Sequence, residues 1–165
     1  MTRRPKNSAL GETTLEHVTV IEIDGRGVMI HGPSGVGKTA LALELMHRCR
    51  VASVPVALVA DDYAFVSGDV DTGCLVAKVP DRIAGLVELR GYGVAAVGPG
   101  RHRPETRLAL AVALCPADEA ERVADPGRHL TLHGVEVPEM ALLAGTPASS
   151  ALAVLGWLGL AASVI

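Results

Sequence analysis

Gly27-Val28-Met29-Ile30-His31 runs without a break into Gly32-Pro33-Ser34-Gly35-Val36-Gly37-Lys38-Thr39. The first five residues are strand-like. The next eight satisfy G-x-x-x-x-G-K-[ST] at every fixed position. Ala40 to Arg50 follows, with Leu41, Leu45 and Met46 at helical spacing among good helix formers. The order is therefore strand, glycine loop, helix. Glycines let the backbone close around phosphate oxygens with its N–H groups inward, and the helix adds its positive end. Lys38 is placed to reach the β- and γ-phosphates, and the Thr39 hydroxyl to help hold Mg²⁺. The pattern predicts ATP or a similar triphosphate, with Mg²⁺, over Gly32–Thr39.

Outward from this loop the local signals continue. Val18 to Ile23 is rich in β-branched residues and ends at Asp24-Gly25, which predicts a hairpin with the Gly27–His31 strand. On the other side, Pro55 stops the helix, and Val56-Ala57-Leu58-Val59-Ala60 has the unbroken apolar character of a buried strand. It ends in Asp61-Asp62. P-loop proteins commonly hold Mg²⁺ with an acid at such a strand end. Side chains alternate along a strand, so one acid can serve the metal and the other an incoming hydroxyl. A solvated turn is the bland alternative, and the glycine loop favours the catalytic reading.

Composition narrows the class. The chain has 165 residues, is 49% apolar and 20% charged, and carries a formal net charge of -3. That length suits one domain, expected here over residues 13–165 behind a mobile tail at 1–12. Trp157, Tyr63, Tyr92 and Phe65 are the whole aromatic complement, which with the balanced charge argues against nucleic acid as a partner. Cys49, Cys74 and Cys115 are odd in number and far apart. They read as reduced thiols of a cytoplasmic protein, not a disulfide frame or zinc site. Arg3, Arg4 and Lys6 precede no apolar segment of a secretory leader.

Further strands are expected at Tyr63–Val66, Cys74–Val79 and Val94–Val97, and a short helix at Glu119–Ala124. Leu108–Leu114 suits strand or helix. Met140 to Ile165 lacks charge, but only Ala151–Ile165 is continuously apolar, too short for the ~20 residues of a membrane span. A packed terminal helix, with a subunit interface as the place for it, is the preferred reading. The fold class is α/β.

Gly32–Thr39, Ala42-Leu43-Glu44-Leu45, Leu58-Val59-Ala60-Asp61-Asp62 and Glu88-Leu89-Arg90-Gly91-Tyr92-Gly93 together resemble the catalytic domain of HPr kinase/phosphorylase. The likeness runs from about His17 to Val137. It implies the P-loop variant shared with phosphoenolpyruvate carboxykinase, with a central twisted sheet, flanking helices and a hexameric assembly. Residue by residue, it implies His17 at the active site, Lys38 on phosphate, and Thr39 and Glu88 as magnesium ligands. Asp62 matches the acceptor of the serine proton, with Asp61 in support. Arg122 aligns with a catalytic arginine when Val135-Glu136-Val137-Pro138 is the anchor, and Arg128 competes for that place.

The resemblance implies an ATP-dependent serine kinase acting on the phosphocarrier HPr or an HPr-like protein. A kinase for another protein or peptide, and a nucleotide-binding regulatory module, are the alternatives. Four features depart from the family pattern: about 16 residues precede His17, as in short members of the family, about six extra residues lie around Arg50–Pro55, and two motifs are replaced. Gly98-Pro99-Gly100-Arg101-His102-Arg103 replaces a Leu-Phe-Gly, and Gly145-Thr146-Pro147-Ala148-Ser149 replaces the Arg-Pro-Gly-Arg-Asn tied to dephosphorylation. Loss of two arginines predicts weak or absent phosphorylase activity. Arg101-His102-Arg103 reads as a partner-binding loop or a solvated basic turn.

Overall fold

The computed structural model describes residues 12–164. The expected mobile tail therefore lies almost wholly outside the described residues. In chain order the elements are β1 (Thr13–Glu16), β2 (Thr19–Ile23), β3 (Arg26–His31), α1 (Lys38–Val51), β4 (Val56–Ala60), β5 (Ala64–Asp69), β6 (Cys74–Lys78), β7 (Leu86–Leu89), β8 (Gly93–Ala96), β9 (Glu105–Cys115), β10 (His129–Leu132), β11 (Val135–Leu143), α2 (Pro147–Trp157) and α3 (Ala161–Val164). β7 and β8 form a separate hairpin, and the other strands make one nine-stranded sheet. Its backbone order is β1-β5-β6-β9-β3-β2-β4. β9 is the trunk: one edge pairs in parallel with β3, the other antiparallel with β6 and then in parallel with β11.

Period-two alternation gives the central strands two buried faces. Ile21, Val28, Ile30, Leu110 and Val112 face Leu41 and Leu45 of α1 and Val154 and Leu155 of α2. Their neighbours Val20, Met29 and Ala111 face the other way and meet Val66, Leu75 and Ala77. The β5–β6 end of the sheet thus curls over the face opposite the helices. Each fully buried Leu or Ile on these seams contributes roughly 1.5–3 kcal/mol.

The β2–β3 turn is Asp24 and Gly25, both at positive φ (50° and 74°), as a tight two-residue hairpin of right-handed strands needs. α2 ends at Gly159, whose φ of 73° lets Leu160 N–H return to the Leu155 carbonyl. The apolar C-terminal run is therefore two helices, and the first begins earlier than expected, at Pro147. Leu108–Leu114 belongs to β9. Glu119–Ala124 is not helical. Glu119 N–H closes a turn on the Pro116 carbonyl, and Glu121 N–H is taken by the Ala141 carbonyl, so the segment is spent on turns beside β11. Arg101–Arg103 pairs its backbone with Leu58 and covers the edge of β4. That is the way such an edge is protected. Among the described residues no helix is long and apolar enough to cross a membrane.

Candidate active site

Four segments carry the site, the first being His17 and Thr19 at the start of β2. The β3–α1 loop supplies the phosphate nest, the end of β4 supplies the two acids, and the β7–β8 hairpin closes the third side. They surround an open cleft of about 620 Å³, within the usual range for a small-ligand site of about 300–1,000 Å³.

Glycine is required twice in the nest. Gly32 has a φ of 140°, and a Cβ there would come within 2.7 Å of the Leu114 carbonyl oxygen. Gly37 precedes α1 at a φ of 108° and faces open space. Lys38 is 6% exposed and donates to the Gly32 and Pro33 carbonyls at 3.1 and 3.2 Å. These bonds bend the lysine back over the loop. Burial pushes its pKa down, and the Asp62 and Asp61 charges pull it partly back.

The two acids have separate surroundings. Asp61 is 5% exposed. It accepts from Thr19 Oγ1 at 3.0 Å, Thr39 Oγ1 at 2.8 Å and the Glu88 backbone N–H at 3.0 Å. It joins β2, α1 and β7 at one point. A register shift between Val20 and Ile21 in the β2–β4 pairing lies just before it, and such irregularities re-aim side chains next to functional sites. Asp62 then turns into the left-handed region at a φ of 75°, a conformation that Asp tolerates better than most residues. The turn leaves its carboxylate in the cleft. Among the described residues its one side-chain partner is His17 Nε2 at 2.7 Å, and the His17 ring lies 5.3 Å from the Tyr63 ring.

His17, Lys38, Thr39, Asp61, Asp62 and Glu88 therefore line one cleft. Arg122 does not. It is exposed on the β9–β10 connection, and Arg128 is engaged by Glu139 at 2.8 Å and Glu121 at 3.4 Å. The arginine that does line the cleft is Arg90, at the tip of the β7–β8 hairpin. A Cβ on Gly35 would sit 3.0 Å from Arg90 Nη2, so the guanidinium lies directly over the loop. Among the described residues no carboxylate pairs with it. The sequence signal for this was Arg90-Gly91: Gly91, at a φ of 83°, makes the turn closed by Tyr92 N–H on the Leu89 carbonyl. Thr19, the anchor of Asp61, was not anticipated either.

The donor set fits Mg²⁺. Hydroxyl and carboxylate oxygens of Thr39, Asp61, Asp62 and Glu88 are hard ligands around one space. Among the described residues no three acidic, His or Cys side chains converge into a self-sufficient cage. That suits an ion held by one or two side chains together with substrate phosphates.

The family model described as the HPr Serine kinase C-terminal domain matches residues 8–153. The chain belongs to this family. It is 34% identical over 142 residues to the HPr kinase/phosphorylase of Halalkalibacterium halodurans, covering 82% of this chain and 44% of that one. It is 35% identical over 133 residues to the same-named protein of Limosilactobacillus reuteri, covering 76% and 39%. The chain thus spans less than half the length of these curated relatives. The solved structure of the Hpr(Ser) kinase/phosphatase from Coxiella burnetii superposes with a TM-score of 0.72 at 22% identity, over 88% of this chain and 96% of that one. The expected HPr-kinase P-loop α/β fold is the fold observed.

Proposed function

We propose that this chain transfers the γ-phosphoryl group of ATP to a serine hydroxyl of HPr or an HPr-like protein. The observation that carries the reading is the division of labour between adjacent acids. Asp61 is locked onto Thr39, while Asp62 stands free in the same cleft beside His17.

The acceptor serine enters over Asp62. Its oxygen forms the new bond to the γ-phosphorus as the bond to the β-bridging oxygen breaks, and ADP leaves. The serine proton passes to Asp62, a positioned general base. His17 holds that carboxylate in place. Lys38 and the backbone of Gly35–Thr39 neutralise charge on the phosphates, and Arg90, lying over Gly35, takes the arginine's place on the transferring group. Thr39, Asp61 and Glu88 would hold Mg²⁺, which would supply positive charge against the phosphates. Gly145–Ser149 has no arginine for an anionic phosphate, which supports a kinase with little reverse activity. A homo-oligomer, a hexamer on the family pattern, is part of the same reading, as is a cytoplasmic setting.

The test is transfer of labelled phosphate from Mg·ATP to purified HPr, run beside Asp62→Asn. Transfer that disappears in the variant supports the reading. Transfer only to another protein changes the substrate, and nucleotide binding without any transfer overturns the kinase.

A further inference from the structure

Beside the first turn of α1 lies a second cavity, of about 190 Å³. Gly37 and Ala40 line it as well as the main cleft, so the two spaces adjoin across the start of the helix. Its remaining wall includes Leu41 of α1, Leu114 at the end of β9, and the β11–α2 junction from Leu143 through Gly145 and Thr146 to Ser150. Among the described residues no charged side chain lines it. The hydroxyls of Thr146 and Ser150 stand 3.3 Å apart, and Ser150 is 4% exposed.

We infer that this cavity receives the purine base of the nucleotide. The inference rests on the triphosphate reading of the glycine loop and extends it to the other half of the ligand. Three observations carry it. The first is direction. Asp62 and His17 hold one end of the cleft for the acceptor, so the γ-phosphate belongs at that end. The chain of phosphates must then lead away from Asp62, along Lys38 and Gly37, toward Ala40. The next space beyond is this one. The second is topology. β3, β9 and β11 run parallel, and their C-terminal ends converge on the loop, Leu114 and Leu143. Parallel sheets bind ligands beyond these ends. The third is chemistry. The triphosphate half needs cations and N–H donors, which the main cleft has. The base half needs an uncharged slot with a few fixed polar atoms, and this cavity has apolar walls with two neighbouring hydroxyls. Its volume is that of about six waters, enough for one bicyclic ring and too little for a second nucleotide.

The experiment compares two ligands that share phosphates and differ in the base. Calorimetric affinities for Mg·ATP and Mg·tripolyphosphate are measured on the unaltered chain, on Thr146→Leu and on Ser150→Leu. Each added side chain intrudes on the cavity and is expected to weaken ATP binding about tenfold or more, the scale set by a few misfitting methylenes. Tripolyphosphate affinity should not move. Light-driven crosslinking of 8-azido-ATP to the unaltered chain should label the peptide containing Leu143–Ser150. That readout stands even if Ser150→Leu fails to fold. Unchanged ATP affinity in the folded variants, equal loss of both ligands, or a label placed elsewhere overturns the base site. Failure of the unaltered chain to bind tripolyphosphate at all overturns the phosphate nest itself, a different result.

Discussion

Two histidine–carboxylate pairs flank the glycine loop, each with Nε2 to oxygen at 2.7 Å. His17–Asp62 opens on the cleft, and His31–Glu139 lies behind it. The contact is the same, and the surroundings differ. The Asp62 side chain is 54% exposed and has no other side-chain partner among the described residues. The Glu139 side chain is 8% exposed, and its second oxygen is taken by Arg128 Nε at 2.8 Å. In one case a carboxylate remains free to take a proton. In the other a guanidinium is already paired with it, and that hydrogen bond is the first cause that raises the already high Arg128 pKa further. Residue type and distance do not make a base; the unclaimed oxygen does.

The sharpest way to break this contrast is Asp62→Asn. Transfer should fall about 10²–10⁴-fold, the range of a lost general base, with ATP affinity unchanged. Asn is the proper variant because it tolerates the left-handed backbone that Ala would strain. Glu139→Gln should do the opposite. It strands Arg128 and His31, and stability should drop by about 1–3 kcal/mol in urea melts, while turnover per folded molecule holds. A loss of turnover without a loss of stability would erase the distinction. His17→Ala comes next. Losing one bond to a charged group should lower kcat about tenfold and leave KM for ATP alone.

The smallest effect concerns Lys38, whose pKa is held down by burial and partly restored by Asp62 and Asp61. Between its folded value and 10.5 the unfolded chain holds more protons, so stability of the ligand-free protein rises with pH there. Asp62→Asn removes one restoring charge. The rise should then begin at a lower pH, measurable by urea melts at a series of pH values below 10.5.

Much of this architecture was legible because its signals are local. Asp24-Gly25 announces its turn, Gly32–Thr39 its nest, and Val56–Ala60 its buried strand. The remainder depends on partners distant in sequence. β11 hid behind Pro138, which a strand interior normally excludes. Here Pro138 falls where the strand leaves β10 and joins β9. Arg122 was placed by counting from an anchor, whereas Arg90 reaches the loop through a hairpin whose docking no spacing reveals. The unequal fates of Asp61 and Asp62 follow from Thr19, Thr39 and one backbone twist. Alternation alone could say only that they diverge.

The trunk strand Glu105–Cys115 touches β3, β6 and β11 at once, and this bears on how the molecule breathes. No half of the sheet can detach without breaking the same ladder, so its amides should exchange with solvent only through global opening, as one cooperative unit. The β7–β8 hairpin shares no ladder with it and should exchange earlier. The arm that carries Glu88 and Arg90 is tied to the sheet end through the Glu88 N–H to Asp61 bond, so breaking that one bond and its apolar packing loosens it while the strands beneath the glycine loop stay paired.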